Sequence, residues 1–265
     1  MADTAARLTT LTRLGFAARG LIYIVISILV ITTGRATDPA GAIRYLSQGS
    51  GSILILIIAI GLLAYGLWRL SDALLDIEHH GSDKSAVVER LGAGASGLIH
   101  LLLAWQAIKL FQGISASNGN AAQEGAQSVL QYPGGGPLLI VGGAILLATG
   151  VFQFFKAAKA SYLKDLEPHI ARQPWAKWSG RLGYAARGFV FVITGFFLAS
   201  AGMNEQASDA GDMSAALAWL DNPWDIIVAI GFLAFGLFSL IEARYRILHA
   251  VPVESLGQKI KAKFT

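Results

Sequence analysis

Between Leu21 and Ile31 the chain reads LIYIVISILVI, a run without a charge and rich in β-branched side chains. In water such a run suits a strand. In hydrocarbon the backbone has to satisfy its own N–H and C=O groups, and an isolated apolar run does so only as a helix. Six segments, 14–34, 53–71, 91–111, 138–155, 182–201 and 224–241, are long and apolar enough to span, a core of about 30 Å being crossed at about 1.5 Å per helical residue. Composition agrees, since 54% of the 265 residues are hydrophobic and 14% charged, against about a quarter charged in a soluble domain. A disordered chain is excluded, and a soluble globule is disfavoured. No small-x-small cleavage site follows the first span between Gly34 and Pro39, so that span is expected to stay attached. The chain has no cysteine, which removes thiolate metal sites, iron–sulfur clusters, disulfides and thiol catalysis together.

Charge sets the expected orientation. Of the 21 basic residues, 18 fall on the side that holds both termini and the second and fourth connections, leaving Arg35, Arg44 and Lys109 opposite. Asp38, Glu124, Glu205, Asp209, Asp212, Asp221 and Asp225 lie on that opposite side. By the positive-inside rule both termini are expected in the cytoplasm. The net charge of +4 is thus a topology signal, and its spread over short loops argues against nucleic acid as a partner.

The sequence also repeats. RLGFAARG at 13–20, RLGAGASG at 90–97 and RLGYAARG at 181–188 each open an odd-numbered span, while LLAYG at 62–66, LLATG at 146–150 and FLAFG at 232–236 mark the even ones. Between them lie AGAIRYLSQ from Ala40, EGAQSVLQY from Glu124 and MSAALAWLD from Met213, spaced as short amphipathic helices at the outer surface. The unit is span, short outer helix, span. An even number of spans makes every copy enter the membrane in the same direction, with an axis along the membrane normal. The fold expected is all-α, six transmembrane helices as three parallel pairs with approximate threefold symmetry, around either a packed centre or a pore. The units run over 1–80, 81–165 and 166–250, followed by a basic tail, 251–265, that suits anionic inner-leaflet lipid.

Through the RLG-x-x-A-x-G marks at Arg13, Arg90 and Arg181 and the L-A-x-G marks ending at Gly66, Gly150 and Gly236, nearly the whole chain resembles an uncharacterised bacterial membrane family. That family is a domain of unknown function built from a transmembrane helix pair occurring three times. The resemblance implies this topology and a bacterial plasma membrane; it implies no activity, cofactor or catalytic residue.

Aligning the copies on their glycines places Arg19 with Ser96 and Arg187, and Asp72 with Lys156 and Glu242. Arg19 lies six residues beyond Arg13, about 9 Å deeper along the helix. A lone charge there costs about 2–3 kcal/mol, so two ion pairs within units are expected, Arg19 with Asp72 and Arg187 with Glu242, both missing from the middle copy. Alternatively, the arginines line a cytoplasmic vestibule that selects anions, or snorkel to headgroups. His100 stands near the midplane, where its counterparts are Tyr23 and Phe191. It is a candidate proton or metal site, set against a neutral imidazole bonded to a carbonyl or hydroxyl. His79, His80, His169 and His249 lie outside the spans, so no second axial histidine is available for haem. Asp72, Asp76 and His80 share a helical face that could hold a divalent ion, although the other copies lack it.

Glycines crowd the span starts, above all Gly92, Gly94 and Gly97, as close helix contact requires. Trp175, Trp178, Trp219 and Trp224 fall near the expected interfaces. No motif joins nucleophile, base and electrophile, so no enzyme and no cofactor are expected. The reading favoured is a membrane scaffold or partner-binding module in contact with lipid, a protein partner or a second copy. The alternative is a channel or transporter for a small ion or solute, which would gain if Arg19, Arg187, His100 and Gln106 converged on a continuous cavity.

Overall fold

The computed structural model describes residues 2–49, 51–78, 84–114 and 121–247; His79, His80, His249 and the basic tail 251–265 lie outside the described residues. Ten α-helices follow in order, α1 (Ala2–Thr33), α2 (Pro39–Gly49), α3 (Gly51–Leu75), α4 (Lys84–Phe111), α5 (Ala121–Leu130), α6 (Gly135–Lys159), α7 (Pro168–Ala171), α8 (Pro174–Asn204), α9 (Met213–Trp219) and α10 (Trp224–Tyr245). Six of them, α1, α3, α4, α6, α8 and α10, are long and apolar enough to cross a membrane. Helix α8 starts at Pro174, well before the apolar stretch at 182, because proline fits the first helical turn and the preceding turns carry interfacial side chains. Trp175 and Trp178 project there, more than half of Trp178 being exposed.

The short connecting helices α2, α5 and α9 fall where the repeats place them. Asp38 caps α2, its Oδ1 accepting the Gly41 N–H at 2.7 Å, and Asp212 caps α9 by accepting the Ala215 N–H at 3.0 Å; an acceptor at this position satisfies one of the orphan amides of the first turn. At Asp38 burial outweighs that bond and holds the carboxyl above its ordinary value.

Each first helix packs on the second helix of another unit: α4 on α3, α8 on α6 and, joining the last unit to the first, α1 on α10. The repeat glycines make these contacts. A Cβ on Gly20 would lie 2.8 Å from the Gly236 carbonyl oxygen and one on Gly236 2.8 Å from that of Gly20; Gly66 and Gly97 approach one another in the same way at 3.0 Å, and Gly150 and Gly188 at 2.8 and 2.9 Å. Backbones this close exchange van der Waals contact that larger residues would prevent, the main source of helix association in lipid. Three helix pairs are thus joined by equivalent contacts, in line with the repeats in the sequence.

Contacts inside a unit are less uniform. Helix α1 packs on α3 and α8 on α10, whereas among the described residues α4 and α6 of the middle unit do not pack together. A Cβ on Gly15 would meet Tyr65 Cβ at 2.5 Å, and one on Gly183 would meet Phe235 at 2.6 Å, but around Gly92, the equivalent position, nothing lies within 4 Å. In the middle unit Ile145 and Thr149 stand in register with Gly61 and Tyr65 and with Gly231 and Phe235. Glycine and aromatic ring, which together seal the other two seams, are both lost. Helices α4 and α6 are accordingly the least enclosed, 22% of the apolar stretch of each being buried against 67% in α1. Between α1, α8 and α10 the interior is filled by Tyr23, Ile26, Val190, Ile193, Phe232 and Phe235.

Leucine at Gly188 or Gly236 should force the paired helices apart, at a cost of about 1–3 kcal/mol or more as overpacking of a closed contact, whereas leucine at Gly92 should be tolerated. Thermal midpoints of the purified variants in detergent check this, and equal losses at all three positions would contradict the open seam.

Candidate functional site

The deepest charged residues are arranged by this cyclic order. Arg19 on α1 donates from Nε to Ser239 Oγ at 3.1 Å and from Nη1 to the Tyr65 hydroxyl at 2.6 Å. Its Nη2 pairs with Glu242 Oε2 on α10, and its guanidinium lies 4.9 to 5.1 Å from the ring centres of Phe16, Tyr65 and Phe235. Glu242 rather than Asp72 is therefore the partner of Arg19. The expected pairing within the unit fails because Gly20 meets Gly236, which turns the arginine toward the second helix of the preceding unit. Asp72, fully buried, pairs instead with Arg69 at 3.3 Å on its own helix and accepts the Glu78 N–H at 3.0 Å. Arg69 occupies the register of Ser239, so this seam draws its guanidinium from α3 while α4 offers only Ser96.

Glu242 also accepts from Arg246, Nη1 to Oε1 at 2.9 Å, and Arg246 reaches Glu78 at 3.0 Å and Asp165 at 3.2 Å through Nη2. Asp165 is brought there by a short pairing of the loop before α7 with the end of α10, Ile247 donating to the Asp165 carbonyl at 2.9 Å. Burial by itself weakens the charge of Arg246, but Asp165, Glu242 and Glu78 overcome that and push its guanidinium above the ordinary value. A polar chain thus runs from Tyr65 through Arg19, Glu242 and Arg246 to the loop end of the bundle. Sequence reasoning missed Arg246, although its spacing of four residues from Glu242 was a readable signal.

Arg187 has no such partner. Glu242, its expected acid, is taken by Arg19 and Arg246. Arg187 lies over the rings of Phe235 at 4.6 Å, Phe191 at 5.1 Å and Tyr23 at 5.8 Å, and its Nε is buried without a protein hydrogen bond. Among the described residues no carboxylate pairs with it. The register that Glu242 fills on α10 is filled on α6 by Lys156. The Lys156 ammonium stands 5.2 Å from the Phe152 ring, forms no ion pair among the described residues, and feels Arg69, Glu89, Asp165 and Arg246 at longer range.

His100 places Nδ1 2.7 Å from the Ser96 carbonyl. A carbonyl only accepts, so Nδ1 carries the proton, and the ring packs at 4.5 Å from that of Tyr65. This is the imidazole-to-carbonyl arrangement; Nε2 has no partner among the described residues. Gln106 Oε1 on α4 and Thr194 Oγ1 on α8 are buried and also without a protein partner. No three histidine or acidic side chains gather at metal-binding spacing among the described residues, and His80 of the Asp72, Asp76 and His80 face lies outside them.

The Domain of Unknown Function (DUF1206) family matches the chain three times, at residues 14–76, 91–160 and 182–246, each match covering one pair of spans. An uncharacterized protein of Bacillus subtilis (strain 168), YxxB, is 30% identical over 247 residues, which is 88% of this chain and 90% of that protein. No solved structure matches.

Arg19→Leu leaves Glu242 with Arg246 as its cationic partner and removes the bonds to Tyr65 and Ser239, a loss of about 1–3 kcal/mol. Adding Glu242→Leu should cost less than that substitution costs alone, since the Arg19 bond is already gone and Arg246 keeps Glu78 and Asp165, whereas Asp72→Leu should add its own loss in full. Unfolding midpoints of the two double variants decide between the partners.

Proposed function

The chain belongs to the DUF1206 family, and from that premise we propose that it is a non-enzymatic scaffold or binding module of the bacterial plasma membrane, with both termini cytoplasmic. Its role is to hold one seam of an otherwise interlocked bundle open to an occupant. One observation carries this reading: three equivalent glycine contacts join the units, two seams within units are sealed, and the third, between α4 and α6, is left unpacked. Aromatic and branched side chains filling the space between α1, α8 and α10 favour a module over an axial pore. The imbalance of lysine and arginine supports the orientation.

A second reading, passage of a small anion or solute, is favoured by one feature. Arg187 Nε and Thr194 Oγ1 on α8 and Gln106 Oε1 on α4 are buried without protein partners and stand at different depths along the bundle. Such atoms are costly unless water or a solute satisfies them.

The purified chain in liposomes separates the two. Proton, chloride and phosphate flux equal to that of protein-free vesicles is expected; flux abolished by Arg187→Gln would replace the module by a transporter. A fluorescent protein fused after Thr265 should fold and fluoresce, and an alkaline phosphatase fused there should stay inactive. The reverse pattern would invert the topology.

A further inference from the structure

We propose that the bundle holds a small monovalent oxyanion, of the carboxylate, nitrate or bicarbonate kind, against Arg187 and the Tyr23 hydroxyl. This goes beyond the module reading, which needs no ligand at this place, and an anion that binds without crossing is compatible with it.

Arg19, in the register of Arg187, is held by Glu242, Ser239 and the Tyr65 hydroxyl. For Arg187 the corresponding registers carry Lys156, Gln153 and Phe235. The first is a cation, the third a ring without a hydroxyl, and Gln153 forms no hydrogen bond among the described residues. Every acceptor that serves Arg19 is thus lost, while the guanidinium is kept. A charge within a membrane-spanning segment calls for a partner, and aromatic rings supply only part of one.

Its neighbours place this guanidinium on the inner side of α8. Phe235, over which it lies at 4.6 Å, is fully buried, and Tyr23, at 5.8 Å, is 7% exposed. His100 on α4 stands near enough to feel its charge. Nε is enclosed, whereas Nη1 and Nη2, which also bond to nothing among the described residues, are not. The end of the guanidinium therefore opens on space that a ligand can enter. The Tyr23 hydroxyl is likewise neither bonded among the described residues nor enclosed.

Charge and donor geometry fix the kind of occupant. The guanidiniums of Arg19, Arg187 and Arg69 all act on His100. Arg19 is neutralised by Glu242 and Arg69 by Asp72, which leaves Arg187 without a carboxylate among the described residues. One negative charge balances it. Two parallel Nη–H donors match two coplanar oxygens, and the Tyr23 hydroxyl adds a neutral donor.

The full chain, purified in detergent, is followed by thermal midpoint as nitrate or acetate replaces chloride at constant ionic strength. A saturable rise is expected with both anions, because chloride offers no pair of oxygens. Nitrate and acetate act in opposite senses on protein stability as general salts, so a rise with acetate and none with nitrate is a salt effect and overturns the proposal. Arg187→Gln should abolish the response and leave the midpoint in chloride equal or higher, since an uncompensated cation is removed. Tyr23→Phe should raise the half-saturating concentration about tenfold, the worth of one charge-assisted hydrogen bond. Phe191→Glu sets a carboxylate one turn from Arg187, at the spacing of Glu242 and Arg246, and should make the chain indifferent to added anion with its midpoint kept, which separates lost binding from lost folding. Responses of Arg187→Gln and Phe191→Glu equal to that of the parent chain would overturn the proposal. A parent chain indifferent to both anions removes the anion site and leaves the module, which the liposome experiment tests separately.

Discussion

The rest of the structure depends on the approach of one glycine backbone to another, made three times between successive units. Gly20 with Gly236, Gly66 with Gly97, and Gly150 with Gly188 each set an α-carbon against a carbonyl at a distance that leaves no room for a side chain. In hydrocarbon, helices gain nothing from hiding apolar surface from water, so this contact supplies the attraction and also fixes which helix meets which. Because the contact runs from each unit to the next, and from the last to the first, the three hairpins become one bundle whose helices pack in the order α4, α3, α1, α10, α8, α6.

Charge placement follows from that order. Once Gly20 lies on Gly236, Arg19 faces Glu242, Ser239 and the Tyr65 hydroxyl, and all three of its nitrogens find acceptors. Phe235 stands within 5.0 Å of both Arg19 and Arg187, so the two guanidiniums share one ring. Cation–π contact is worth about 2 kcal/mol when desolvated, less than a full counter-charge at the same depth. The two arginines are alike in sequence and unlike in circumstance: the first is neutralised by protein, the second is not.

Divergence of the middle copy has a structural consequence beyond missing charges. Ile145 and Thr149 replace the glycine and aromatic ring that seal the other units, Ser96 replaces the arginine, and Lys156 replaces the acid. Ile145 and Thr149 fall along the seam that is unpacked, while Ser96 and Lys156 hold registers that meet the neighbouring units. Seams where all the parts are kept are closed, so the opening traces to local side chains rather than to the length of the connecting loop.

The spans, the repeated unit and the short helices between spans were legible in the sequence, since apolar length and a glycine-marked repeat are properties of consecutive residues. The bond of His100 to a carbonyl one turn back on its own helix was one of the alternatives the sequence left open. What the sequence could not convey was who faces whom. Arg19 and Asp72 belong to one unit, and proximity along the chain suggested a pair; the packing of α1 on α10, decided by backbone contacts between residues more than 200 positions apart, gave Arg19 to Glu242 instead. The same packing left Arg187 among aromatic rings and one seam unsealed, because partners in a bundle are chosen by the surfaces that close most tightly, and that choice is made only when all six helices compete for them.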